Sequence, residues 1–92
     1  MTERFTLEAL VTFLDGDREI VDGLERAGLI ERHSGGTYSA EEIEDARVAH
    51  VLLRELEVNW AGVEVILRMR SELLVTRRRL AEAAKLVRRR EV

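Results

Sequence analysis

The stretch from Trp60 to Arg90 constrains this chain more than any other. It has no proline, no glycine after Gly62, and many strong helix formers. An unbroken helix of about thirty residues is roughly 45 Å long. A chain of 92 residues has too small a core to bury such a helix against itself. Part of it must project or pack on a partner. Ile66, Leu73, Leu80 and Val87 recur every seven residues, the seam spacing of a coiled coil. The companion row Val63, Arg70, Arg77 and Ala84 mixes apolar and charged residues, which fits an antiparallel dimer better than a strict parallel zipper. Leu67 and Leu74 widen the stripe toward its N-terminal half. Glu64 with Arg68, and Arg78 with Glu82, stand one helical turn apart as supporting ion pairs.

The preceding residues read as a head of shorter elements. Thr6 caps a first helix whose face is Leu7, Leu10, Val11 and Leu14, and Asp15-Gly16 ends it. Asp17 caps a second helix reaching about Ala27, with Ile20, Val21, Leu24 and Ala27 as its stripe. Gly28 suits the left-handed position just past a helix end. Two short helices joined by a tight turn make a helix-turn-helix. Leu29–Arg32 and Thr37-Tyr38 read as extended segments joined by His33-Ser34-Gly35-Gly36, a glycine pair able to take positive φ. This predicts a small two-stranded wing. Ser39-Ala40-Glu41-Glu42 is a capping box opening a third helix to about Leu56. Its apolar positions, from Ile43 and Ala46 to Leu53 and Leu56, form a stripe wide enough to touch both the head and another helix. Asn59 caps the long helix, Trp60 plugs the elbow, and Gly62 lets a neighbouring helix approach closely. The expected division is a head over residues 1–58 and a long helix over 59–92, within a single domain.

Net charge is −3, with an asymmetry along the chain. Residues 1–45 carry twelve acids and four arginines, a balance of −8, whereas residues 46–92 carry eleven bases and six acids, a balance of +5. The triplets Arg77-Arg78-Arg79 and Arg88-Arg89-Arg90 repeat after eleven residues, about three turns, and so share one side of the helix. They suit a solvated helix end, where arginine complements the dipole, or contact with nucleic acid or with the acidic head of a partner subunit.

Several function classes are disfavoured. The absence of cysteine excludes disulfides and thiolate metal sites. His33 and His50 lie in different elements without ligand spacing, so no metal is expected. No nucleophile–base pair, phosphate-binding loop or convergent carboxylate pair is placed as catalysis requires. The expectation is a non-enzyme without cofactor or catalytic residues. Aromatics are 4% of the chain, too few for stacking single-stranded bases. No apolar run approaches the roughly 18 residues of a membrane span. Met1-Thr2-Glu3-Arg4 lacks the apolar core of a signal peptide, so a cytoplasmic protein is expected.

The position where a helix-turn-helix protein would read DNA carries the wrong sign. Asp17, Glu19, Asp22 and Glu25 belong to that second helix and its cap. Carboxylates facing phosphates repel, and phosphate contacts dominate DNA affinity. The same four acids suit a basic protein partner.

The element order resembles a MerR-type winged helix-turn-helix with its dimerisation helix attached. Gly28-Leu29-Ile30-Glu31 resembles the lead into the wing, and Tyr38-Ser39-Ala40-Glu41-Glu42-Ile43 resembles the opening of the third helix. The segment Leu56-Glu57-Val58-Asn59-Trp60-Ala61-Gly62-Val63 is similar to the elbow of a related family, the CbpM-type modulators of J-domain co-chaperones. The resemblance spans roughly residues 5–75. It implies a mainly all-α fold with a small β-hairpin wing and a long C-terminal dimerisation helix. It also implies a non-enzymatic protein that binds the J-domain of a DnaJ-like co-chaperone, normally a basic helical surface, and restrains its stimulation of the chaperone. The alternative is a MerR-like DNA-binding transcriptional regulator. A fold-level likeness does not decide between them.

Overall fold

A computed structural model describes residues 3–91. Residues 1–2 and 92, the outer limits of the two expected segments, lie outside it. In chain order the elements are β1 (Arg4–Thr6), α1 (Leu7–Phe13), α2 (Arg18–Arg26), β2 (Thr37–Ser39), α3 (Ala40–Arg54) and α4 (Trp60–Arg90). The described chain is therefore mainly helical, with one two-stranded antiparallel sheet.

The helix starts follow from their caps. Thr6 accepts a hydrogen bond from the Ala9 N–H at 3.1 Å. Asn59 does the same for the Gly62 N–H at 2.8 Å. The capping box is closed both ways: Ser39 Oγ accepts from the Glu42 N–H, and Glu42 accepts from the Ser39 N–H. Satisfying these orphan donors stabilises each helix by about 1 kcal/mol. Asp17 departs from expectation: it stands at the cap position of α2 without a side-chain capping bond. Its carboxylate is instead held by Arg54 of α3 at 2.8 and 3.1 Å. A bidentate charged pair outcompetes one bond to a backbone amide. Gly28 takes φ 71°, the left-handed conformation expected past the end of α2.

The expected wing is corrected in its pairing. β2 pairs not with Leu29–Arg32 but with β1, in the register Arg4↔Ser39, Phe5↔Tyr38 and Thr6↔Thr37. The turn at 33–36 is closed by a single bridge, His33↔Thr37. The reason lies in side chains. Ile30 is buried in the core, Leu29 packs against it, and Glu31, Arg32 and His33 are tied down by bonds to Glu42, Tyr38 and Glu25. The segment is fixed by anchors rather than by a ladder, which frees the edge of β2 for the N-terminal strand.

The core joins Leu10 and Leu14 of α1, Ile20, Val21 and Leu24 of α2, Ala46 and Ala49 of α3, and Val63 and Leu67 of α4, with Ile30 and Tyr38 between them. Full burial of a side chain such as Leu24 is worth about 1.5–3 kcal/mol. Small residues at 46 and 49 let α3 lie close to its neighbours. α3 ends at Arg54, two residues before the expected Leu56, and Glu57 takes φ 55° at the elbow. Beyond Arg70, α4 leaves the head: every residue from 71 to 91 is exposed. The longest dimension is 53 Å, as one projecting helix of this length requires. Among the described residues no helix is long and apolar enough to cross a membrane.

Candidate protein interface

Helix α2 presents its stripe of Ile20, Val21 and Leu24 to the core, which turns the opposite face outward. The four acids expected to form one patch are placed very differently. Glu19 and Asp22 have side chains 76% and 52% exposed, while Asp17 and Glu25 fall to 19% and 26%. Asp17 spends its charge on Arg54, with His50 at 3.8 Å. The Arg54 bond and charge outweigh burial and hold its carboxyl below the usual aspartate range.

Glu25 works inside the head as well. It accepts from the Tyr38 hydroxyl at 3.2 Å and from Arg32 at 3.3 Å, while Arg32 Nε donates to the same hydroxyl at 3.0 Å. Arg32 also lies over the Tyr38 ring, 5.9 Å from its centroid. Burial, and then the neighbouring Glu25 charge, push the Tyr38 hydroxyl pKa up against the opposing pull of Arg32. This triangle fixes the C-terminal end of α2 to β2.

Glu19 and Asp22 are therefore the two of these four carboxylates that stay largely exposed. Arg18 reaches Asp22 at 4.0 Å and Arg54 reaches Glu19 at 3.7 Å, so both are only loosely neutralised. Glu19 and Gly23 of α2, and Ala27 at its C-terminal cap, succeed one another at four-residue steps on a single face. Along that face runs a shallow groove against the start of α4, lined by Gly23, Arg26, Ala27, Trp60, Ala61 and Glu64. Its floor is apolar. Glu64 stands on its rim, paired with Arg68 at 2.6 Å.

The elbow residues build this groove. Trp60 is half-buried, and its indole lies so close to Gly23 that a β-carbon there would collide with the ring. Gly23 was not singled out from the sequence. Its signal was a glycine inside a nine-residue helix, where it costs about 1 kcal/mol relative to alanine and so marks a close approach. The part expected of Gly62 is corrected. A β-carbon at Gly62 would meet Val58 at 2.7 Å and Asn59 at 3.3 Å, so glycine is needed for the elbow itself and not for a neighbouring helix.

A second hub is Glu42. Burial works to raise its carboxyl pKa, but amides of Ser39 and Glu31 and the Ser39 hydroxyl outweigh it, so the net shift is downward. His33 Nε2 lies 3.0 Å from the same carboxylate. Glu42 thereby pins the 31–33 segment to the start of α3. Both histidines thus face carboxylates, and no group of three or more acids and histidines among the described residues is placed to hold a metal.

Ile66, Leu73, Leu80 and Val87 project from α4 with exposures between 36% and 65%. The companion row separates from them. Val63 is buried in the head, and Arg70 donates to Asp45 of α3 at 2.8 Å. The two rows thus serve different faces. Searches of family models, curated proteins and solved structures find no match to this chain.

Proposed function

We propose that this chain is a non-enzymatic modulator that binds the J-domain of a DnaJ-like co-chaperone and regulates its activity in the cytoplasm. The observation that carries this reading is the groove between α2 and α4. Its floor of Gly23, Ala27 and Trp60, with Arg26 and Glu64 also in the lining, belongs in part to the helix that carries the exposed carboxylates Glu19 and Asp22. An amphipathic basic helix is the natural occupant: its apolar face meets the floor and its cations meet the acids. The likeness of the 56–63 segment to the modulator elbow supports the same choice, since that segment supplies Trp60. A MerR-like winged helix-turn-helix fold and a homodimer joined through α4 are parts of this proposal.

The test is calorimetric titration with J-domains from the source organism at two salt concentrations. Saturable binding that weakens with salt supports the proposal. Glu19→Lys with Asp22→Lys should abolish it, and absence of binding to every J-domain would sink it. The competing reading, a MerR-like regulator, has the opposite sign: the same two substitutions should tighten binding to operator-like DNA.

A further inference from the structure

The projecting part of α4 gathers positive charge that nothing in the chain neutralises. Residues 71–90 carry seven bases and two acids, a balance of +5, and every one of these residues is exposed. Among the described residues the ion pairs of α4 stop at Arg70, so no carboxylate holds the seven cations beyond it.

Their placement around the helix has a pattern. Met69, Leu73, Thr76, Leu80, Ala83 and Val87 form an uncharged row along this length, and its larger apolar members are exposed. At about 100° per residue, Arg77 and Arg88 stand roughly 80–100° to one side of the row, and Arg79 and Arg90 roughly 60–80° to the other. Arg78, Lys85 and Arg89 lie on the back, roughly 160–180° away. The result is an apolar strip with arginines along both edges.

We propose that the outer part of α4 is a membrane-surface helix that lies in the plane of an anionic bilayer. The uncharged row enters the boundary between headgroups and acyl chains, and the edge arginines meet the headgroup phosphates. Both halves of the pattern select this occupant. Arginine stems run up from an apolar surface and set their guanidinium groups at headgroup height, and a cationic amphipathic helix binds anionic lipid through apolar burial and charge together. A nucleic acid would use the cations but not the row between them. The row mixes threonine and alanine with leucine, valine and methionine, too polar to cross a membrane and suited to lying on one.

The rest of the molecule fits the same pose. Val63, Leu67 and Arg70, which face the head, lie roughly 100–160° around the axis from the row, so the head sits off the surface. Residues 1–45 have a balance of −8, so an anionic surface repels the head while it attracts α4. Trp60 and Glu64 lie roughly 140–180° from the row, so the groove between α2 and α4 faces water. A homodimer joined through α4 would cover the same row, and the lipid-bound chain is therefore the monomer. The lipid contact depends on neither the J-domain nor the dimer.

The test is flotation of the full chain with vesicles of phosphatidylcholine alone and of equal parts phosphatidylcholine and phosphatidylglycerol, at low and high salt. The expected result is partition onto the anionic vesicles only, weakened by salt. An arginine near an anionic surface contributes about fivefold, so Arg79→Gln with Arg88→Gln should weaken partition about 20-fold. Arg78→Gln with Arg89→Gln removes the same charge from the back, about one Debye length farther from the lipid at roughly 0.1 M salt, and should weaken it about fivefold or less. Leu80→Ser should weaken it about tenfold. All five sites are exposed, and an unchanged circular dichroism spectrum shows that each variant is folded. Equal losses from the edge and back pairs, or none from Leu80→Ser, would overturn the in-plane pose. Absence of partition onto anionic vesicles would overturn the proposal, and binding to duplex DNA or RNA at the same salt would then assign the arginines to nucleic acid. J-domain titration reads none of these outcomes, so the lipid and J-domain proposals fail separately.

Discussion

The head and the projecting half of α4 use similar apolar residues to different ends. In the head, three side chains of the nine-residue α2 reach zero exposure, and even Tyr38 is fully enclosed. From Ser71 to Glu91, leucines and valines recur at helical spacing and every one of them is exposed. Helix propensity is no weaker in the second region. What differs is a surface to pack on. Most helical stability in proteins comes from packing an amphipathic face, so the head is complete in one chain and the outer half of α4 is not.

The largest effects should fall where this contrast is steepest. Leu24→Ala should lower the unfolding free energy by about 3 kcal/mol, read by urea denaturation. Leu73→Lys with Leu80→Lys should instead leave the head's unfolding within about 0.5 kcal/mol at concentrations where the wild type is monomeric, since both sites are exposed in the single chain. That double variant should sediment as a monomer. Equal losses in head stability from the two changes would erase the distinction between the regions.

Gly23→Ala comes next. Alanine is the better helix former, yet here it should destabilise by about 2 kcal/mol because its methyl must displace the Trp60 indole. Trp60 is the sole tryptophan, so its emission should shift red as the ring is pushed out. Adding Trp60→Leu should recover most of the loss, a non-additivity that packing at one contact demands. A stabilised Gly23→Ala protein would mean that ring and helix do not constrain each other.

These positions also show what the sequence disclosed. Caps at Thr6, Ser39 and Asn59, the stripe of α2 and the full length of α4 were legible because each is a local pattern. β1 was not: Arg4-Phe5-Thr6 is three residues long with no turn beside it, and only pairing to β2 makes it a strand. The acids on α2 were legible as a set, but not which two are spent internally. Asp17 lies 37 residues from Arg54, and Glu25 lies 13 from Tyr38. Composition cannot distinguish a free carboxylate from one consumed by a distant partner. That Val63 is buried in the head and Arg70 is held by Asp45, while Ile66 and Leu73 stay exposed, emerges only from the packing of α4 on α3.

Asp17 and Asp45 carry the same contrast into single charges, with the smallest effects. Both meet an arginine, Arg54 and Arg70 respectively, at 2.8 Å. Asp17 has its pKa lowered, chiefly by the Arg54 bond. Asp45 has its pKa raised, first by burial and then by the charges of Glu41 and Glu42, which Arg70 does not fully offset. A lowered carboxyl contributes stability above its unfolded value of about 3.9 and loses it as pH falls through the folded value. A raised one contributes fully below about 3.9 and loses its contribution as pH rises through the folded value. Asp17→Asn should therefore cost about 1 kcal/mol at neutral pH, a cost that disappears in acid below the ordinary aspartate range. Asp45→Asn should cost less than about 0.5 kcal/mol at neutral pH, or stabilise, and the wild type should gain on it as pH falls. Urea unfolding of the three proteins from pH 7 down to 3 reads both slopes. Parallel slopes would mean that the two arginine pairs are equivalent, and that the desolvation of Asp45 between α3 and α4 is compensated after all.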